Sequence, residues 1–143
     1  MGYSKIYKCP HCNYEIELMY GIGFLWGFYD KSMFYPPLNN EYSFNVYNSL
    51  SKNMLKEIHS YIESSEYVFV SNVYYHPYKC EFCGNMESNI YFEIDSISHK
   101  EVYVPTYECQ CGGRYKKIHH NQKNFYCPKC KTKMIYNDGL RWD

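Results

Sequence analysis

The sequence predicts an α+β fold of short antiparallel strands with one inserted amphipathic helix, organised around its cysteines. Three observations lead there. All eight cysteines fall in four close pairs, Cys9/Cys12, Cys80/Cys83, Cys109/Cys111 and Cys127/Cys130. Apolar residues recur at helical spacing in one stretch, at Val46, Tyr47, Leu50, Met54, Leu55, Ile58, Tyr61 and Ile62, which predicts a helix over about 44–64. The other apolar runs are short and either alternate or are rich in Val, Ile, Tyr and Phe.

The strands follow in order. Tyr14-Glu-Ile-Glu-Leu-Met-Tyr20 alternates, with Tyr14, Ile16, Leu18 and Tyr20 on one face, and predicts a half-buried strand. Residues 67–75, 90–94 and 102–104 read as further strands, the last ending at Pro105. Short strands around 115–118 and 134–136 flank the last two cysteine pairs. Ser43 or Asn45 is the expected helix cap and Ser64-Ser65 its end. Between the first strand and the helix lies an aromatic, glycine-rich loop whose Phe24, Trp26, Phe28 and Tyr29 are candidate partner contacts.

A chain of 143 residues has the length of one ordinary domain. Its apolar material is unusual, with 19 Tyr, 8 Phe and no alanine. Tyrosine buries a large ring but needs a partner for its hydroxyl, so the expected core is amphipathic and half-exposed. The low alanine and high Asn, Lys, Tyr and Ile content reads as an AT-rich bacterial or phage coding sequence. No segment approaches the ~20 apolar residues of a membrane span, and no apolar run follows the first lysines as in a secretory leader. The expectation is a cytoplasmic protein with no membrane contact. In a reducing compartment, paired cysteines read as metal ligands rather than disulfides.

A two-residue spacer lets both sulfurs of one turn face one ion, and four thiolates make a closed tetrahedral shell suited to zinc. Two such shells would take all eight cysteines, giving Cys9, Cys12, Cys80, Cys83, Cys109, Cys111, Cys127 and Cys130 as ligands of two Zn²⁺ ions. Fifteen residues separate Cys111 from Cys127, a spacing that assigns the last two pairs to one site and leaves Cys9/Cys12 with Cys80/Cys83. The alternative joins Cys80/Cys83 to Cys109/Cys111 and Cys9/Cys12 to Cys127/Cys130, and spacing alone does not decide between them. Iron in a rubredoxin-like redox site is a chemical alternative to zinc.

Tyr7-Lys8-Cys9-Pro10-His11-Cys12 and Tyr126-Cys127-Pro128-Lys129-Cys130 resemble the knuckles of zinc ribbons. The resemblance covers the knuckles and about 40 residues around them, and extends to small bacterial zinc-ribbon proteins. It implies two zinc-ribbon-like sites and no particular activity. Asn13 and Lys131 stand where such knuckles commonly carry glycine. With the first pairing, residues 1–99 form a ribbon with a helical insertion and residues 100–143 a C-terminal ribbon.

Closed shells leave no open position for metal catalysis, and no nucleophile–base pair, carboxylate pair or phosphate loop is recognisable, so no enzyme is expected. His11, His76, His119 and His120 lie near cysteine pairs and read as surface or supporting residues. His99-Lys100-Glu101 has the residue types of a zinc deaminase, but no proline precedes Cys127. Net charge is zero overall, with residues 1–99 carrying 6 basic and 11 acidic residues and residues 100–143 carrying 9 and 4. An acidic, tyrosine-rich body fits a protein-interaction module of adaptor or inhibitor type. The basic end places Arg114, Lys116, Lys117, Lys123, Lys129, Lys131 and Lys133 among aromatics, which gives nucleic-acid binding as the alternative.

Overall fold

A computed structural model describes residues 1–22, 29–38 and 45–142. The chain forms two compact units, one of Met1–Phe24, Tyr74–Ile90 and Thr106–Asp143, the other of Leu25–Val73 and Tyr91–Pro105. This differs from the expected division at residue 99. The expected C-terminal ribbon does not stand alone, because the first strand of the chain pairs with its last.

Among the described residues, six strands form one mainly antiparallel sheet: β1 (Gly2–Lys8), β2 (Glu15–Gly21), β3 (Val68–Cys80), β4 (Met86–Ser96), β5 (Tyr115–Lys117) and β6 (Ile135–Trp142). The order is β4-β3-β2-β1-β6, with β5 also paired to β3. In the first unit β1 is central. It pairs with β2 from Gly2↔Gly21 to Lys8↔Glu15, and with β6 from Gly2↔Trp142 to Lys8↔Ile135. Its pairing with β6 shifts between Tyr3 and Lys5. There the buried Ser4 hydroxyl accepts the Leu140 N–H at 2.9 Å and donates to the Glu17 carboxylate, so the polar group is satisfied.

Two hydrophobic clusters fill this unit, and each contains cysteines. Tyr7, Leu18, Met86, Ile118, Phe125 and Met134 pack around Cys9 and Cys127. Tyr78 and Tyr115 pack around Cys80 and Cys109. Tyr14, Ile16 and Tyr20 lie against the first cluster, on the face that the sequence alternation predicts. Half-buried tyrosines carry their hydroxyls to partners, as Tyr107 does to the Ile90 carbonyl at 2.6 Å.

The second unit holds the helix, α1 (Lys52–Glu63), which is shorter than the expected 44–64. Tyr47–Ser49 form a 3-10 turn, with the Asn45 side chain accepting the Tyr47 N–H at 2.9 Å. Leu50 is then extended, and Ser51 caps α1 by accepting the Met54 N–H at 3.2 Å. Val46 and Leu50 are buried like the helical stripe, but from outside the helix. The Asn and Ser side chains of 45–51 compete for backbone groups and delay the helix start. Ser64 ends it, as expected.

Met54, Leu55, Ile58 and Ile62 form the buried face of α1. A 3-10 turn over Lys31–Phe34 packs against the helix, and His59 Nε2 meets the Phe34 carbonyl at 2.8 Å. Phe34 in turn packs against Phe92, with centroids 4.9 Å apart and the rings tilted by 52°. The expected strand 102–104 is a single bridge, Tyr103 to Ile94.

Replacing Ser51 with Ala removes the cap and is expected to cost about 1 kcal/mol in urea unfolding followed at 222 nm, with Ser51→Asp nearly neutral. Ile58→Ala, in the fully buried stripe, is expected to cost about 2–5 kcal/mol in the same experiment.

Candidate metal centres

Each cysteine pair sits in a tight turn at a strand end, and the four turns share one backbone design. The first cysteine N–H closes the turn in every case: Cys9 to the Tyr14 carbonyl (2.7 Å), Cys80 to Asn85 (2.8 Å), Cys109 to Gly113 (2.8 Å) and Cys127 to Thr132 (2.9 Å). The residue after the second cysteine is left-handed each time, with φ of 59° at Asn13, 73° at Gly84, 86° at Gly112 and 63° at Lys131. Asn13 and Lys131 thus adopt the conformation that glycine takes in the other two turns, and Asn tolerates it better than Lys. Gly113 is required for a different reason: a Cβ there would lie 2.7 Å from Cys80 Sγ.

The turns bring the sulfurs together as two sets of four, Cys9/Cys12/Cys127/Cys130 and Cys80/Cys83/Cys109/Cys111. This is the alternative pairing. The expected joining of Cys111 to Cys127, and of Cys12 to Cys80, is overturned. The physical reason is strand pairing: β6 leaves the last turn and runs along β1, which leads into the first. Likewise β5 leaves the third turn and runs along β3, with Cys80 opposite Tyr115. Both centres therefore have the same plan, a hairpin closed by one turn and a third strand on the hairpin's first strand. The pattern Tyr-Lys-Cys at 7–9 and 78–80 marks the two hairpins. Cys-Pro at 9–10 and 127–128 marks the two turns of one centre. These are the signals that could have given the pairing from sequence.

All four sulfurs of each set lie within 4.8 Å of one another. Cys9–Cys130 and Cys12–Cys127 are 3.4 Å apart, Cys80–Cys111 3.5 Å and Cys83–Cys109 3.6 Å. A disulfide would need about 2.05 Å, and all eight cysteines are free. A tetrahedron with metal–sulfur bonds of about 2.3 Å has edges of about 3.8 Å. The sulfurs therefore fit a small thiophilic cation, and each set could hold one metal ion.

Hydrogen bonds bias the thiols toward thiolate. The Cys111 N–H and the Tyr115 hydroxyl bring Cys109 down to about 6. The Thr132 hydroxyl, 3.4 Å from the sulfur, and the Thr132 N–H bring Cys130 down to about 6. Their neighbours go the other way. The Tyr14 N–H favours the Cys12 thiolate, yet the Cys127 thiol, burial and the other two sulfurs push it up to about 12. Cys83 has the Asn85 N–H, but burial and its three neighbouring thiols push it up to about 11. Four adjacent thiolates repel, and a divalent cation among them removes the conflict.

No histidine joins either set. His76 is buried and bonded through Nε2 to the Ile118 carbonyl at 2.6 Å. His11, His119 and His120 are exposed. His99 stacks on Tyr61 at 4.2 Å and meets Ser64 Oγ at 2.9 Å, so the deaminase pattern has no structural counterpart.

Of the basic residues, Arg114, Lys116, Lys123, Lys129, Lys131 and Lys133 are exposed and Lys117 is half-buried. They do not belong to one centre. Arg114, Lys116 and Lys117 follow the Cys109/Cys111 turn, and Lys116 pairs with Glu81. Lys129, Lys131 and Lys133 surround the Cys127/Cys130 turn, where Lys129 lies 5.7 Å from the Tyr14 ring. Among the candidate partner contacts, Tyr29 is half-buried, and Phe24, Trp26 and Phe28 lie outside the described residues.

No known protein family, curated protein or solved structure matches the chain. The site is therefore defined by its own geometry: two four-cysteine groups able to hold metal ions in a mainly antiparallel sheet.

A double variant separates the two pairings. Cys12→Ser with Cys83→Ser damages both centres as observed here and is expected to leave no tightly held metal by native mass spectrometry. Cys12→Ser with Cys130→Ser damages one and is expected to leave one equivalent. The overturned pairing predicts the opposite counts.

Proposed function

We propose that the chain is a zinc-ribbon-like protein whose two Zn²⁺ ions are structural, and that it acts, without catalysis of its own, by binding another protein. The observation that carries the reading is the closed sulfur shell. Catalytic zinc keeps an open position, and four cysteines leave none. Four of the cysteines, Cys9, Cys127, Cys80 and Cys109, also belong to the two hydrophobic clusters, so the metal would hold the core of the first unit together.

The partner reading rests on the last strand in the sheet order, β6. Among the described residues no strand covers its outer edge. An edge strand offers unpaired N–H and C=O groups to an added strand. Large apolar side chains stand exposed on β6, with Leu140 at 71% and Ile135 at 59%. An adaptor or inhibitor that adds its edge to a partner's strand fits this surface. No described helix is long and apolar enough to cross a membrane.

Charge supports nucleic-acid binding as a second reading. The first unit holds 11 Lys/Arg against 7 Asp/Glu, and the second holds 4 against 8. Each zinc with four thiolates contributes about −2, which brings the first unit close to neutral and favours the protein partner.

Purified protein is expected to be colourless and to carry two zinc equivalents; the absorbance of an iron–sulfur centre would instead indicate a redox role. Affinity capture from source cells with zinc retained should recover a protein that Leu140→Asp releases. Recovery of no protein, or binding to oligonucleotides that weakens steeply with salt, would favour the second reading.

A further inference from the structure

A small pocket in the first unit belongs to neither metal centre. It has a volume of about 100 Å³ and lies where β1, β2 and β3 meet the connection from β5 to the last cysteine pair. No cysteine, aspartate or glutamate lines it. Its polar lining is Lys5, His76, His119, His120 and Gln122, together with tyrosine hydroxyls. Tyr3 and Tyr20 stack at 4.9 Å with 5° between their planes, a rigid pair at the pocket's side.

His76 anchors the arrangement. Only 3% exposed, it places Nε2 at 2.6 Å from the Ile118 carbonyl, which can only accept, so Nε2 carries the proton. The ring stands edge-on to His120 at 5.1 Å and to Tyr20 at 6.5 Å. Lys5 Nζ rests 4.5 Å from the Tyr136 ring centre. Its cross-strand neighbour is Asp138, but among the described residues no carboxylate comes within 4 Å of the ammonium. One ammonium, exposed imidazoles, an amide and phenols therefore converge on a space with no matching anionic side chain.

We propose that this pocket binds a tetrahedral oxyanion, a phosphate group. Charge-assisted hydrogen bonds from lysine and imidazole suit phosphate oxygens. The space holds on the order of a few water molecules, which matches a phosphate and excludes a whole nucleotide. The phosphate comes either from a free ion or small ester, or from a nucleic-acid backbone that lays one phosphate there.

The test is calorimetric titration of the zinc-loaded full chain with inorganic phosphate, beside Lys5→Met, His120→Gln and the control Lys52→Met, an exposed residue of the second unit that does not line the pocket. Each variant is first checked for two metal equivalents and an unchanged circular dichroism spectrum. The expected result is saturable one-to-one binding that Lys5→Met and His120→Gln each weaken about ten-fold or more, with Lys52→Met unchanged. Competition by a short single-stranded oligonucleotide, lost in Lys5→Met, would assign the phosphate to nucleic acid; no competition would assign it to the free ion or ester. Absence of saturable phosphate binding up to about 10 mM, or equal affinity in every variant, overturns the proposal. Should one pocket variant lose its fold, the other alone decides.

Discussion

The closure of one sulfur shell by the two ends of the sequence is the constraint from which the first unit follows. Cys9/Cys12 and Cys127/Cys130 meet across 114 intervening residues. Chain entropy opposes this only weakly: relative to a 15-residue loop, the extra closure cost is about 1.8 kcal/mol. Structural zinc in small domains contributes an apparent ~10–16 kcal/mol, so a zinc ion held by the four sulfurs would outweigh that cost. Once the shell is closed, β6 lies along β1 and the second centre is enclosed within the first in chain order, with 25 residues between Cys83 and Cys109. The helical unit is then built from two insertions into the first, Leu25–Val73 and Tyr91–Pro105, whose lengths cost little.

The same constraint explains the composition. A core that must accommodate four-sulfur groups has less need of closely packed aliphatic side chains. Tyr7, Tyr78 and Tyr115 fill the space around the sulfurs with rings, and Tyr115 also aims its hydroxyl at Cys109. The basic residues of the first unit offset the negative charge that two thiolate-bound zinc ions would bring. The second unit has no such centre among its described residues and carries the acidic excess instead. The charge of the chain is thus uneven between the units as well as along the sequence.

Much of this was legible in the sequence. Four close cysteine pairs identified the eight candidate ligands, because few other arrangements put thiols at those spacings. The alternation of Tyr14 to Tyr20 identified β2 and its inward face. The pairing of the sites was not legible from spacing, since loop entropy varies only logarithmically with length. Backbone pairing fixes it, and backbone groups carry no sequence label. For the same reason β1 was missed: Ser4, Lys5 and Lys8 obscure its pattern, and it is held by strands on both sides. The start of α1 was misplaced because Val46 and Leu50 are buried at helical spacing without being helical. The β6 edge was read too short, as 134–136, because Asn137, Asp138 and Gly139 resemble a turn and are held in the strand by Ser4 and β1.

X-ray absorption at the zinc edge tests the central claim most directly. The account predicts two zinc ions per chain, each with four sulfur neighbours at about 2.3 Å and no nitrogen or oxygen in the shell. A shell of mixed sulfur and nitrogen, or a single occupied centre in the wild-type chain, would contradict it.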